Sequence, residues 1–197
     1  VDPWIPEFTE SNGNRVARVA LHDDFDDPLG TPITEHRTSR YSNGTPNAPS
    51  FWFDGDLLAG GAPDRSSLHR QLLSAEGARS GDTNIKINAS FDSGVISIVV
   101  SLREWETIEE TQISIFVTEN SVTIDESQAI NGITIHHDVV RAYREAPLGV
   151  EGEGWSFGDG LSWMENHTIS HTPNEIIFSI SIFIPPDKDP SELSIVA

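Results

Sequence analysis

The chain of 197 residues contains no cysteine. Disulfides, thiolate metal ligands and a cysteine nucleophile are therefore excluded from it. Long apolar runs are missing too, because the longest, residues 176–184, is interrupted by serines. No segment is thus predicted to span a membrane. The start of the chain lacks both an initiating methionine and the pattern of a signal peptide, so we expect a processed product or a fragment.

Basic residues are scarce, and lysine occurs only as Lys86 and Lys188. The chain has 31 acidic and 12 basic residues, for a formal net charge of −19. Nucleic acid and anionic membranes are excluded as partners, because binding phosphate needs clustered lysine and arginine. A strongly acidic surface suits a salty medium, where screening weakens self-repulsion, so a halophilic or marine source is expected.

Residues 1–82 show a mixed pattern of helices and strands. Proline in a first turn marks helix starts, and Asn-Gly or Gly marks helix ends. These signals predict helices at 2–11, 31–41 and 64–76 and strands at 16–21 and 50–53. The third helix would be capped by Asp64 and carry an apolar stripe of Leu68, Leu72 and Leu73. This alternation is typical of an α/β unit.

Residues 83–197 change to a period of two, which is typical of half-buried strands. The alternating apolar positions are Ile85, Ile87 and Ala89; Ile96, Ile98, Val100 and Leu102; Ile113, Ile115 and Val117; Ile133 and Ile135; and Ile176, Phe178, Ile180, Ile182 and Ile184, with a last short strand at 193–196. Many strands without a helix favour an antiparallel β-sandwich. The predicted fold class is therefore α+β, with an α/β unit at 1–82 and a β-sandwich at 83–197.

Two stretches carry a resemblance to a known family. Residues 15–55, "RVARVALHDDFDDPLGTPITEHRTSRYSNGTPNAPSFWFDG", resemble the second half of a thioredoxin-like domain. "ISIFVTEN", then Gln128, then "ITIHHDVVRAYREAPLG" follow in the order found in the sandwich of thioredoxin-like outer-membrane antigens. The resemblance implies a thioredoxin-like domain followed by a C-terminal β-sandwich, in the cell envelope or outside the cell.

The chain departs from that family's pattern at the redox site. It lacks the first strand and the Cys-x-x-Cys of a redox-active thioredoxin, so the thioredoxin-like unit is incomplete. The resemblance implies a cis peptide at Ala48-Pro49, beside the edge that binds an extended peptide. The alternative is that Pro49 only shapes a turn and protects a strand edge.

An acidic cluster follows the predicted strand at 16–21. Asp23, Asp24, Asp26 and Asp27 supply the oxygen ligands that Ca²⁺ prefers. The spacing does not match an EF-hand, and the alternative is a solvated loop in which Asp27 forms a turn before Pro28. No other cofactor is predicted.

A second polar group surrounds two adjacent histidines. His136 and His137 point to opposite faces of a strand, and with Arg141 they are predicted to form a polar network. A metal would need a further ligand such as His167 or His171. The alternative is one buried, hydrogen-bonded histidine and one exposed one. Asn-x-Ser/Thr sequons at Asn43, Asn88 and Asn166 are candidate glycosylation sites. Residues 149–163, which are rich in glycine and tryptophan, are predicted to form either a binding loop or a packed hairpin.

These observations favour a non-catalytic exported or cell-surface protein that binds a protein or peptide partner. One alternative is a thiol–disulfide oxidoreductase whose Cys-x-x-Cys lies upstream of Val1. Another is the subunit of an extracellular filament or surface assembly, which would expose strand edges.

Overall fold

The computed structural model describes residues 4–22, 27–30, 34, 38, 50–53, 56–60, 64–78, 84–103, 112–129, 132–147, 165–172 and 175–197. The fold of these residues is α+β and rich in sheet, with mostly antiparallel strands and two α-helices. Neither of these helices is long and apolar enough to cross a membrane.

The two helices pack together in the first part of the chain. Helix α1 spans Trp4–Asn12 and continues into a 3₁₀ turn at Gly13–Arg15, and helix α2 spans Arg65–Ala78. Phe8, Leu68 and Leu72 form a small buried cluster between them. The predicted cap is confirmed, because Asp64 Oδ1 accepts a hydrogen bond from Ser67 N at 2.8 Å.

Two details of this first part differ from the predictions. The apolar stripe predicted for α2 includes Leu73, but this side chain is 50% exposed, because the described cluster buries the side of the helix that carries Leu68 and Leu72. Residues 16–21 make a single parallel bridge, Ala20 to Val139, instead of a strand. Arg15 and Arg18 interrupt the apolar run there.

A short hairpin lies between the two helices in sequence. Strands β1, Ser50–Phe53, and β2, Asp56–Gly60, pair antiparallel with a shift of register between Phe51 and Trp52. The strand predicted at 50–53 is thus confirmed. Most of the helix predicted at 31–41 lies outside the described residues, although Thr34 and Thr38 are both helical.

The second part consists of strands that form two larger sheets and one small one. They are β3 Asn84–Asp92, β4 Val95–Arg103, β5 Gln112–Glu119, β6 Val122–Thr123, β7 Ile135–His136, β8 Val139–Pro147, β9 Glu165–Thr172, β10 Glu175–Phe183 and β11 Leu193–Val196. The strand orders are β3-β4-β10-β9, β11-β5-β8 and β6-β7. All pairs are antiparallel.

The two larger sheets share one hydrophobic core. Strands β4 and β10 alternate buried and more exposed residues, as the sequence predicted. Their buried side chains pack with Ile113, Ile115 and Val117 of β5 and Ala142 of β8. This packing is compatible with the predicted β-sandwich.

Candidate functional site

Strand β3 lies at one edge of its sheet, since β4 is its one neighbour among the described strands. All nine of its residues are exposed, including Ile85 at 46%, Ile87 at 37% and Phe91 at 49%. Exposed apolar residues that cluster together mark interaction surfaces more often than scattered ones do. We call Ile85, Ile87, Ala89 and Phe91 the β3 edge.

The β3 edge lies on the core side of its sheet. Its residues pair with Leu102, Val100, Ile98 and Ile96 of β4, in that order, and all four of these are buried. Directly opposite residues in an antiparallel pair share a face. The three described strands of the second sheet share a core cluster with β4, and this described core includes no residue of β3.

The turn after β3 determines where its free backbone groups point. Ser93 and Gly94 join Asp92 to Val95 with φ of 51° and 82°, as in a type I′ turn. The pair that flanks such a turn exchanges both backbone hydrogen bonds, and bonded pairs then alternate along the hairpin. The even-numbered residues of β3 therefore bond to β4. The N–H and C=O groups of the β3 edge point toward the open side.

The opposite face of β3 is polar. A shallow cleft there is lined by Asn84, Lys86, Asn88, Ser101, Arg103 and Glu175. Arg103 and Glu175 form an ion pair at 2.9 Å. Lys86, in contrast, forms no ion pair with a carboxylate in the described part of the chain. The chain as a whole carries 31 acidic residues. The face is thus hydrophilic, with one uncompensated cation on the edge strand.

A second candidate is a cluster of His22, Asp27 and His136, which joins the segment after α1 to strand β7. His22 Nδ1 and Asp27 Oδ2 lie 2.7 Å apart, and Leu29 N donates to Asp27 Oδ1 at 2.8 Å. The rings of His22 and His136 meet edge to face, with centroids 5.1 Å apart. His136 Nε2 also lies 3.2 Å from the carbonyl oxygen of Ile133.

The cluster shifts the pKa of two of its groups, His136 and Asp27. Burial, and then the nearby His22, lower the pKa of His136 below its ordinary value of 6.5. Burial raises the pKa of Asp27, but the hydrogen bonds from His22 and from Leu29 N outweigh it and leave the pKa lowered. A carboxylate next to a histidine is the arrangement of a general base. Thr34 Oγ1 donates a hydrogen bond to the backbone carbonyl oxygen of His22, which ties the cluster to a further segment of the chain. We therefore describe the pair as a structural contact.

The other residues of the predicted polar network make separate contacts. His137 Nδ1 lies 3.0 Å from the carbonyl oxygen of Asn120, and Arg141 Nε donates to Glu119 Oε2 at 2.7 Å. Lys188 Nζ also contacts Glu119, at 3.1 Å. His136 instead contacts His22, a partner that the sequence did not indicate. The network is therefore divided between two places at the ends of β5 and β7.

Several predicted residues lie outside the described part of the chain. These are Asp23, Asp24 and Asp26 of the acidic cluster, Ala48 and Pro49, Asn43, and the loop 149–163. Asp27 is described, and both its carboxylate oxygens are engaged. Within the residues described, no group of three or more His, Asp or Glu side chains is arranged so that it could hold a metal ion. For His167, His171 and Asn166 only the backbone is described, in β9, and Asn88 is exposed on β3.

No protein-family model matches this chain, no curated protein is significantly similar to it, and no solved structure resembles it at a significant level.

Proposed function

We propose that this protein is a non-catalytic binding module of the cell envelope or the extracellular space. In this proposal it captures an extended segment of a protein partner along the β3 edge. One observation carries the proposal: an edge strand of nine exposed residues whose apolar side chains continue the core face of the sheet. The proposal includes a thioredoxin-like scaffold in residues 1–82, supported by the sequence resemblance alone.

The binding mode is the addition of a strand to the sheet. A partner strand beside β3 would accept and donate backbone hydrogen bonds at Ile85, Ile87, Ala89 and Phe91. Its alternate side chains would cover the exposed Ile87 and Phe91 and extend the core face. Backbone hydrogen bonds give such a site affinity for any extended segment. The apolar side chains of the β3 edge favour a segment in which apolar and polar residues alternate.

The test measures binding of a nine-residue peptide of alternating valine and threonine by fluorescence anisotropy. We expect saturable binding to the protein and none with a version of the peptide that carries a central proline. Phe91→Lys should weaken binding because it removes an apolar contact, and Ala89→Pro should do so because it removes an outward N–H.

The matched control is Ile135→Lys. Ile135 is 50% exposed, close to the 49% of Phe91, but it lies on β7 and not on the β3 edge. This variant should bind the peptide like the unchanged protein. Equal losses in Phe91→Lys and Ile135→Lys, or no binding to any variant, would refute the proposed site.

A further inference from the structure

We propose that the occupant of the β3 edge is the same strand of a second copy of this chain. The two strands would pair antiparallel around a twofold axis at Ala89. This inference rests on the proposed function, because it takes the β3 edge as the binding surface and names its partner. Pairing of this kind would join two four-stranded sheets into one continuous sheet across the dimer.

The alternation of β3 restricts how it can pair with itself. The outward backbone groups belong to the odd-numbered residues, so these must face odd-numbered residues of the second copy. Such a register also keeps the apolar side chains of both copies on one face and the polar ones on the other. A shift by a single residue would mix the two faces and is excluded for that reason.

Charge selects one register among those that remain. With Ala89 facing Ala89 of the second copy, Lys86 lies opposite Asp92 and Ile87 lies opposite Phe91. Lys86 and Asp92 are the only charged residues of β3. Their pair is not bonded through the backbone, which brings the side chains closer, to a Cα separation of about 4.5 Å. Twofold symmetry forms this ion pair twice.

The unpaired state of Lys86 in the single chain supports this choice. Its side chain lacks a carboxylate partner among the described residues, although the chain is strongly acidic. Within the part of the chain that is described, Asp92 accepts a hydrogen bond from the neighbouring Ser93 Oγ alone, at 3.0 Å, and it is exposed. Both groups are thus accessible to a second copy. A twofold pairing also closes on itself, which predicts a dimer and not a filament.

The absence of native cysteine allows a direct test by crosslinking. In the proposed register, Ala89→Cys places two thiols on strands whose Cα atoms are about 5.5 Å apart, within the range of a disulfide. We expect rapid oxidation of this variant to a covalent dimer by oxidised glutathione. Ile87→Cys and Phe91→Cys should not crosslink alone, but a mixture of the two should form a heterodimer.

A control variant and a rival register complete the crosslinking test. Phe183→Cys, at an exposed position on β10, should remain monomeric. Efficient crosslinking of Asn88→Cys in place of Ala89→Cys would show a register shifted by two residues and would overturn the proposed one. Crosslinking of none of the β3 variants would overturn the dimer.

Sedimentation equilibrium tests the charge pair in the unmodified surface. We expect a mass near twice the 21.6 kDa of the chain, which falls to the monomer in Lys86→Asp and in Asp92→Lys. The double variant Lys86→Asp/Asp92→Lys should recover the dimer, because the charges remain opposite after the swap. A monomer at every concentration would overturn this inference. Stronger association of Lys86→Ala would also overturn it, since Lys86 would then protect the edge from pairing.

The peptide separates the two proposals. The monomeric Lys86→Asp variant keeps the β3 edge, so it should bind the uncharged valine–threonine peptide at least as well as the dimer does. A monomeric protein that binds the peptide would refute the dimer and leave the proposed function intact. A protein that neither dimerises nor binds the peptide would refute both.

Discussion

At the scale of single residues, Thr118 is a buried polar group without a partner. It is fully buried where the pairing of β5 with β8 shifts by one residue, and its hydroxyl makes no hydrogen bond within the described structure. A buried hydroxyl that has lost its hydrogen bonds to water and gained none in the protein lowers stability by about 1–3 kcal/mol. We expect Thr118→Val to raise the free energy of unfolding by about 1 kcal/mol in urea titrations.

The control for this substitution is Thr123→Val on β6, where the side chain is exposed. It should change stability by no more than about 0.5 kcal/mol. A loss of stability in Thr118→Val would mean that its hydroxyl supports the irregular pairing at this point.

His136 makes the stability depend on pH in a definite direction. Its pKa is lowered in the folded protein, so the unfolded chain binds the proton more readily and stability falls as pH drops through 6.5. Asp27, whose pKa is lowered from 3.8, adds a further loss only in more acidic solution. We expect His136→Gln to reduce the fall in melting temperature between about pH 7 and pH 5.

His69→Gln is the matched control, because His69 is exposed on α2. It should leave the pH profile as it is. An unchanged profile in His136→Gln as well would show that the partly buried His136 does not govern the response to acid.

At the scale of the element, two neighbouring leucines of α2 differ strongly in burial. Leu72 is buried in the cluster with Phe8 and Leu68, whereas Leu73 is half exposed. We expect Leu72→Ala to cost about 2–5 kcal/mol and Leu73→Ala less than about 1 kcal/mol, measured by chemical unfolding. Similar costs at the two positions would contradict the packing of α2 described above.

The β3–β4 hairpin contains a residue in an unfavourable conformation. Ser93 has φ of 51° in the left-handed region, which asparagine adopts more readily. Ser93→Asn should therefore stabilise the protein by about 0.5–1 kcal/mol. Gly94→Ala, at φ of 82°, should destabilise it by at least about 1 kcal/mol. If Ser93→Asn lowers the melting temperature, the turn is not of type I′.

Features set by local chemistry were predictable from the sequence. The cap at Asp64 and the alternation in β4 and β10 depend on neighbours in the chain, and both are confirmed. The exposure of β3 was not predictable, because its alternation is that of a covered strand, whereas in the described structure no residue of the second sheet shares a core cluster with it. The contact of His22 with His136 was missed for the same reason, since it joins distant parts of the chain.

At the scale of the whole molecule, the two predicted domains are in direct contact. Ala20 N donates to Asp138 O at 2.9 Å, Val140 N donates to Ala20 O at 3.1 Å, and Arg18 forms an ion pair with Asp138. Val19 and Leu21 pack on Phe116 and its neighbours. The segment after α1 is thereby fixed beside β8, at an edge of the three-stranded sheet. The boundary at residue 82 remains a prediction.

The net charge of −19 predicts how salt acts on the molecule. Mutual repulsion of the acidic groups opposes the folded state, and salt screens it over a Debye length of about 10 Å at 0.1 M. We expect the melting temperature to rise with NaCl.

CaCl₂ at the same ionic strength tests the predicted calcium site, because an ion that binds the folded state adds its own stabilisation. An equal rise of the melting temperature in both salts would mean that screening of the acidic groups causes the stabilisation. A larger rise with CaCl₂ that EDTA reverses would instead support a site at Asp23, Asp24, Asp26 and Asp27.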